Sequence, residues 1–130
     1  MLNISSSLQD YLEAILELSE TDRSARVTDL ARKLNIAKAS VSQSIDKLAS
    51  FGLVEQESYG PIKLTATGRE QAIKVRRRHR MLRRFLIEIL GVDPTIAEED
   101  ACRMEHAISP ETMEKLVAFL EAQGKEEHHD

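Results

Sequence analysis

At 130 residues, 42% hydrophobic and 31% charged, the chain can bury one modest core or two small lobes that share one. No apolar run reaches the roughly 18 to 20 residues of a membrane span, and the N-terminus lacks a basic, apolar, small-residue leader, so a cytoplasmic protein is expected. A single cysteine excludes an intramolecular disulfide, and the net charge of -4 hides a division: residues 1–92 carry 15 Lys and Arg against 11 Asp and Glu, residues 93–130 carry 3 against 11. A basic part joined to an acidic part suits a nucleic-acid-binding module attached to something that is not one.

In chain order the pattern is nearly all helical. Ser7 followed by Asp10 predicts a capping box in its Asp form, and Leu8, Tyr11, Leu12, Ile15 and Leu16 give the apolar stripe of a first helix ending near Glu20. Residues 21–24 read as a loop. A short helix follows to Leu34 with Thr28 as its N-cap, Asn35 and Ile36 make a turn, and residues 37–50 form the next helix. In that helix Val41, Ile45 and Leu48 point inward, while Lys38, Ser42, Gln43 and Lys47 point outward. Short helix, tight turn and a helix with a small, polar, basic outer face predict a helix-turn-helix able to enter a DNA major groove. Gly52-Leu53-Val54 then breaks the helix. Residues 53–57, a turn at Tyr59-Gly60-Pro61 and residues 62–64 predict a small hairpin, the wing of a winged-helix domain.

Leu64-Thr65-Ala66-Thr67-Gly68 leads into a long helix over 68–90, with Ile73, Leu82, Phe85, Leu86 and Ile89 expected as its buried stripe. Its Lys74, Arg76, Arg77, Arg78, Arg80, Arg83 and Arg84 could add phosphate contacts or pair with the acidic C-terminal part. Gly91-Val92-Asp93-Pro94 ends it. A helix over 94–108 and a last one opened by Ser109-Pro110-Glu111 follow, the latter with an apolar face of Met113, Leu116, Val117 and Leu120 that a second copy could cover. The predicted architecture is therefore mainly α: a winged helix-turn-helix DNA-binding domain over 1–66 and an α-helical dimerisation domain over 67–130. Glu126-Glu127-His128-His129-Asp130 reads as a frayed polar end.

Chemistry concentrates in Ala101-Cys102-Arg103-Met104-Glu105-His106. A sulfur, a carboxylate and an imidazole at offsets of three and four residues fall on one helix face, close enough to converge on a single cation. Asp10 and Glu13, three apart near the start, and His79, in the longest helical stretch, add three more metal-competent groups. Six candidates from three segments imply a cation that staples the fold together.

Order and spacing resemble the diphtheria toxin repressor family, including the manganese transport regulators. The resemblance covers nearly the whole chain, and its most specific stretches are Thr65-Ala66-Thr67-Gly68-Arg69, His79-Arg80 and the Cys-Glu-His run. It implies a metal-activated, homodimeric repressor that binds palindromic operators upstream of metal-uptake genes, in a short form without the SH3-like domain of some members. It carries over Asp10, Glu13, His79, Cys102, Glu105 and His106 as ligands of Fe²⁺ or Mn²⁺, with Co²⁺, Ni²⁺ or Zn²⁺ as substitutes. Asp10, Glu13 and His79 match the manganese type, whereas Cys102 matches the iron type. The iron-type ancillary site is not carried over, because its acidic position is Arg83 and its histidine position is Glu98.

For DNA the expected readers are Gln43 with Ala37, Lys38, Ala39, Ser40 and Ser42, flanked by Thr28 and Lys47: Gln addresses adenine, Ala a thymine methyl, Ser and Lys the phosphates. No membrane partner, organic substrate or catalytic residue is expected. Two rival readings share parts of this pattern. A metal-independent winged-helix regulator sensing an organic ligand leaves the six ligands unexplained, and a small metalloenzyme lacks a phosphate loop, a second general-base histidine and a substrate-sized insertion.

Overall fold

The computed structural model describes residues 4–21, 25–58 and 60–128, with side chains through Gln123. Most of the loop expected over 21–24, Tyr59 of the wing turn, and the side chains of the polar tail with His129 and Asp130 lie outside the described residues. The chain divides into two compact units, Met1–Val75 and Arg76–Asp130, each with its own apolar core.

In the first unit, α1 (Ser6–Ser19) buries Leu8, Tyr11, Leu12, Ala14, Ile15 and Leu16, the stripe that period 3.6 requires. Its cap is Ser5 rather than Ser7: the Ser5 hydroxyl accepts from the Leu8 N–H at 3.3 Å, which places Ser7 inside the helix. α2 (Val27–Leu34) is likewise capped two positions earlier than expected. Arg26 is the N-cap in place of Thr28, and its N–H donates to the Asp29 carboxylate at 3.1 Å. Asn35, in the left-handed region at φ 55°, ends α2 and lets the Ile36 N–H reach the Ala31 carbonyl at 3.0 Å.

The chain turns at once into α3 (Lys38–Ser50), whose Val41, Ile45 and Leu48 are fully buried against α1 and α2. β1 (Val54–Gln56) and β2 (Ile62–Leu64) then pair antiparallel, Val54 opposite Leu64 and Gln56 opposite Ile62, and Ile62 also bridges to Ala25. This is the expected helix-turn-helix with its wing.

The Leu-Thr-x-x-Gly motif has a mechanical basis. The Thr65 hydroxyl donates to the Gly52 carbonyl at 2.7 Å and accepts from the Gly68 N–H at 3.0 Å, while the Thr65 N–H donates to the Leu53 carbonyl at 3.1 Å. One residue thereby caps a helix and ties its start to the segment that follows α3.

That helix, α4 (Ala66–Arg84), begins two residues earlier than expected and passes into a wider π-helical turn at Phe85–Ile89, where the Leu90 N–H reaches back to the Phe85 carbonyl at 3.2 Å. Its inward positions are Ala72, Val75, His79, Leu82 and Leu86, and the expected Ile73 and Ile89 are 41% and 43% exposed. Ile73 lies nine residues before Leu82, half a revolution away at 100° per residue. Ile89 shares the α-helical phase of Leu82, but the extra residue of the π turn rotates it outward.

In the second unit, Asp93 caps α5 (Pro94–Ala107) by accepting from the Thr95 and Ile96 N–H groups at 3.0 and 3.4 Å, with Pro94 at the first position. Ser109 and Pro110 open α6 (Pro110–His128) in the same manner. Leu82, Leu86, Ala97, Ala101 and Met113 form this core, with Leu116 and Val117 packed on it. The Met113 face of α6 is thus occupied within its own chain, and Leu120 is buried as well. Ile89, Leu90, Ile96 and Phe119 are the large apolar groups left exposed among the described residues of this unit.

Candidate metal centre

Two polar residues interrupt apolar stripes. On α5, Ala97, Ala101 and Glu105 succeed one another at intervals of four, so Glu105 continues the inward face and is 5% exposed. On α4, His79 occupies the turn between Val75 and Leu82 and is 9% exposed. A buried carboxylate is rare unless something compensates it.

Here the compensation is incomplete. His79 Nδ1 stands 3.6 Å from Glu105 Oε1 and His106 Nε2 stands 3.5 Å from the same oxygen. These are ion-pair rather than hydrogen-bond distances, and neither Glu105 oxygen, nor His79 Nδ1, has a hydrogen-bond partner among the described residues. Potential ligand atoms of Cys102, Glu105 and His106 lie within 4.8 Å of one another, the thiol on the exposed side. A thiol, an imidazole and a carboxylate is a donor set that fits a divalent transition-metal cation.

The other nitrogen of His79 is occupied: Nε2 is 2.8 Å from Glu98 Oε1, and Glu98 Oε2 is 2.9 Å from Arg83 Nε. The Glu105 carboxylate raises the His79 pKa most, burial opposes it, and the hydrogen bond and charge of Glu98 add, for a value of about 9 against an ordinary 6.5. Without a cation, His79 is therefore the charged imidazolium at neutral pH.

The six expected ligands fall in both units. His79, Cys102, Glu105 and His106 are gathered in the second, whereas Asp10 and Glu13 lie in the first, half-buried and one turn apart on α1. Sequence reading missed Glu98 as the partner of His79 and Arg83 as the partner of Glu98. The signal was present: Glu98, Cys102 and Glu105 are spaced four and three apart on α5, as His79 and Arg83 are four apart on α4.

Among the expected DNA readers, Ala37 is the exposed N-cap of α3, and Lys38, Ala39, Ser40, Ser42, Gln43 and Lys47 are exposed along it. Thr28 is exposed in the first turn of α2. Several cations of α4 are taken up by ion pairs: Arg77 with Glu121, Arg83 with Glu98, Arg84 with Glu88, and Lys74 with Glu70 at 3.8 Å. Arg77 and Arg83 thus pair with the acidic C-terminal part, as expected, whereas Lys74 and Arg84 pair four residues along the same helical segment.

A winged helix-turn-helix followed by a helical unit carrying a metal-competent donor set defines a metal-responsive DNA-binding regulator. Residues 3–62 match the family described as iron dependent repressor, N-terminal DNA binding domain, and residues 65–130 match its metal binding and dimerisation domain. The chain belongs to this family of metal-dependent transcriptional repressors. It is 42% identical over 119 residues to an uncharacterised HTH-type transcriptional regulator of Methanocaldococcus jannaschii, covering 91% of this chain and 95% of that protein. It is 36% identical over 117 residues to the transcriptional regulator MntR of Escherichia coli O157:H7, covering 90% and 75%. A solved manganese-dependent transcriptional repressor in complex with manganese superposes with a TM-score of 0.80 at 35% identity, over 87% of this chain and 52% of the other, so the chain spans about half the length of that relative.

Proposed function

We propose that this chain is a metal-activated, homodimeric repressor of metal-uptake genes in the cytoplasm and not an enzyme, with Fe²⁺ or Mn²⁺ as its activator. The observation that carries the reading is the buried Glu105 carboxylate, with neither oxygen hydrogen-bonded among the described residues, facing His79 and His106 in a chain whose other half is a winged helix. Residues 1–66 are assigned to DNA binding, and residues 67–130 to metal binding and dimerisation. No helix among the described residues is long and apolar enough to cross a membrane.

His79, Cys102, Glu105 and His106 would hold the cation from the helical unit, and Asp10 and Glu13 are proposed as the carboxylates supplied by the DNA-binding unit. The bound cation supplies the positive charge that these carboxylates need in order to share one site. Ligation from both units would fix α1, and with it the separation of two recognition helices in a dimer, to one operator spacing. Gln43, with Ala37, Lys38, Ala39, Ser40 and Ser42, would then read a palindromic operator, flanked by Thr28 and Lys47. The exposed Ile89, Leu90, Ile96 and Phe119 supply apolar surface for the dimer. Oxygen donors at Asp10 and Glu13 favour Mn²⁺, and the Cys102 thiolate favours Fe²⁺, Co²⁺, Ni²⁺ or Zn²⁺.

The test is anaerobic fluorescence anisotropy with promoter DNA from metal-transporter genes of the source genome, at fixed salt, with chelator or with each cation. Binding that requires a cation is expected. Equal binding in chelator would replace this reading with a winged-helix regulator that senses an organic ligand.

A pH dependence follows from His79. Its folded pKa of about 9 lies above the ordinary 6.5, so the imidazolium stabilises the metal-free fold fully below about pH 6.5, and that contribution is lost as pH rises through about 9. Coordination by His79 would require the loss of one proton from this imidazolium. Apparent Mn²⁺ affinity, measured by calorimetry in that window, is therefore expected to rise by up to about tenfold per pH unit. A flat profile would remove His79 from the ligand set.

A further inference from the structure

The ion pair between Arg83 and Glu98 is poorly explained as a device for stability. Both side chains are about half exposed, at 45% and 56%, where an ion pair contributes little. Its placement is informative. His79 and Arg83 stand four apart on one face of α4, and a single carboxylate from α5 spans the two turns, one oxygen 2.8 Å from His79 Nε2 and the other 2.9 Å from Arg83 Nε.

An imidazole has two nitrogens, and the group that accepts a hydrogen bond from one decides what the other can do. With Glu98 accepting from Nε2–H, the Nδ1 position is left to face Glu105, where it has no hydrogen-bond partner among the described residues. The guanidinium holds the carboxylate so that Oε1 stays directed at the ring.

We infer that Arg83 and Glu98 are positioning residues: Glu98 fixes the ring orientation of His79 and holds its Nε2 proton, with Nδ1 as the ligating atom, and Arg83 fixes Glu98. This rests on the metal-activated reading for its consequence, but the orientation is a property of the chain without metal. The same pairing also places the Arg83 guanidinium, a fixed positive charge, against the outer oxygen of Glu98. The Glu98 carboxylate thereby serves as an outer partner of His79 and not as the seat of another cation.

The test uses the full chain and the variants Glu98→Ala, Arg83→Met, Arg83→Lys and the double variant Arg83→Met with Glu98→Ala, each verified as folded by circular dichroism. Mn²⁺ affinity is expected to fall about 10- to 100-fold in Glu98→Ala, the range typical of an outer-shell partner. A smaller loss is expected in Arg83→Met, largely restored in Arg83→Lys, and the double variant should be no worse than Glu98→Ala alone.

The second readout needs no metal. Long-range ¹⁵N–¹H correlation of the His79 ring should show an Nε2 proton protected from solvent exchange in the wild type, broadened or lost by exchange in Glu98→Ala. Wild-type Mn²⁺ affinity in Glu98→Ala, independent losses that add in the double variant, or an unchanged His79 ring spectrum would each overturn the assignment. Failure of the wild type itself to bind any cation would instead sink the metal-activated reading, and the ring spectrum would then decide the orientation by itself.

Discussion

Glu105→Gln is expected to leave the protein folded and to abolish its response to metal. The carboxylate sits at the end of the Ala97–Ala101–Glu105 line on α5, 5% exposed, with neither oxygen hydrogen-bonded among the described residues. The pairing of this carboxylate with the His79 imidazolium supports the metal-free fold, so its replacement by a neutral amide of the same shape should lower the melting temperature in chelator at neutral pH without unfolding the protein. Toward a cation the effect is large. A ligand that donates charge from within the site should cost more than the roughly 10- to 100-fold typical of an outer partner, so Mn²⁺ affinity is expected to fall by more than about 100-fold. Calorimetric titration and anisotropy on operator DNA would read the two losses together. A Glu105→Gln protein that still acquires DNA affinity on addition of Mn²⁺ would remove the centre of the proposed site.

Gly68→Ala is expected to have the largest effect on stability. A Cβ built at Gly68 would lie 1.8 Å from the carbonyl oxygen of Leu53 and 2.8 Å from its carbonyl carbon, and both are backbone atoms that cannot rotate aside. The same carbonyl accepts from the Thr65 N–H, and Thr65 caps α4. The methyl group must therefore separate α4 from the Gly52–Leu53 segment that follows α3 or break the cap. A loss of about 3 kcal/mol is expected, the upper range for overpacking, and the melting temperature should drop by more than about 10 °C. Gly91→Ala is the control: at φ +71° it bears only the conformational penalty of about 1 kcal/mol, because nothing lies within 4 Å of its added Cβ. Similar melting temperatures for the two variants would show that the Leu53 contact yields.

Much of this was legible because the first unit obeys local rules. The Leu8–Leu12–Ile15 and Val41–Ile45–Leu48 stripes, the turn at Asn35 and the antiparallel pair after Gly52 follow from periodicity and turn chemistry, and each is found in the structure. The exact caps were not legible, since neighbouring Ser5, Ser6 and Ser7 are chemically equivalent until the entry of the chain selects one. Ile73 and Ile89 were misplaced for a different reason. The former was grouped by hydrophobicity and not by phase, and the latter lies beyond a π turn that no composition announces. In the site, residue type was enough to gather Cys102, Glu105 and His106. Arg83 and Glu98 read in the sequence as two separate departures from the iron-type pattern. The structure shows one ion pair, because only the packing of α5 on the segment after α4 brings the two positions together.

The π turn at Phe85–Ile89 changes what a length difference means in this part of the chain. A helix segment already holding one residue more than the α pitch accommodates can lose that residue and close into an ordinary α turn, with its hydrogen-bond ladder repaired and no gap in the backbone. Everything downstream would then be turned by about 100° around the helix axis, the rotation assigned to one residue. A homologue shorter by one residue here would thus keep its helix while re-aiming the helix that follows, together with the donors it carries. Insertions and deletions between Phe85 and Ile89 are therefore a route by which descendants of this fold can re-orient a ligand set without exchanging any member of it.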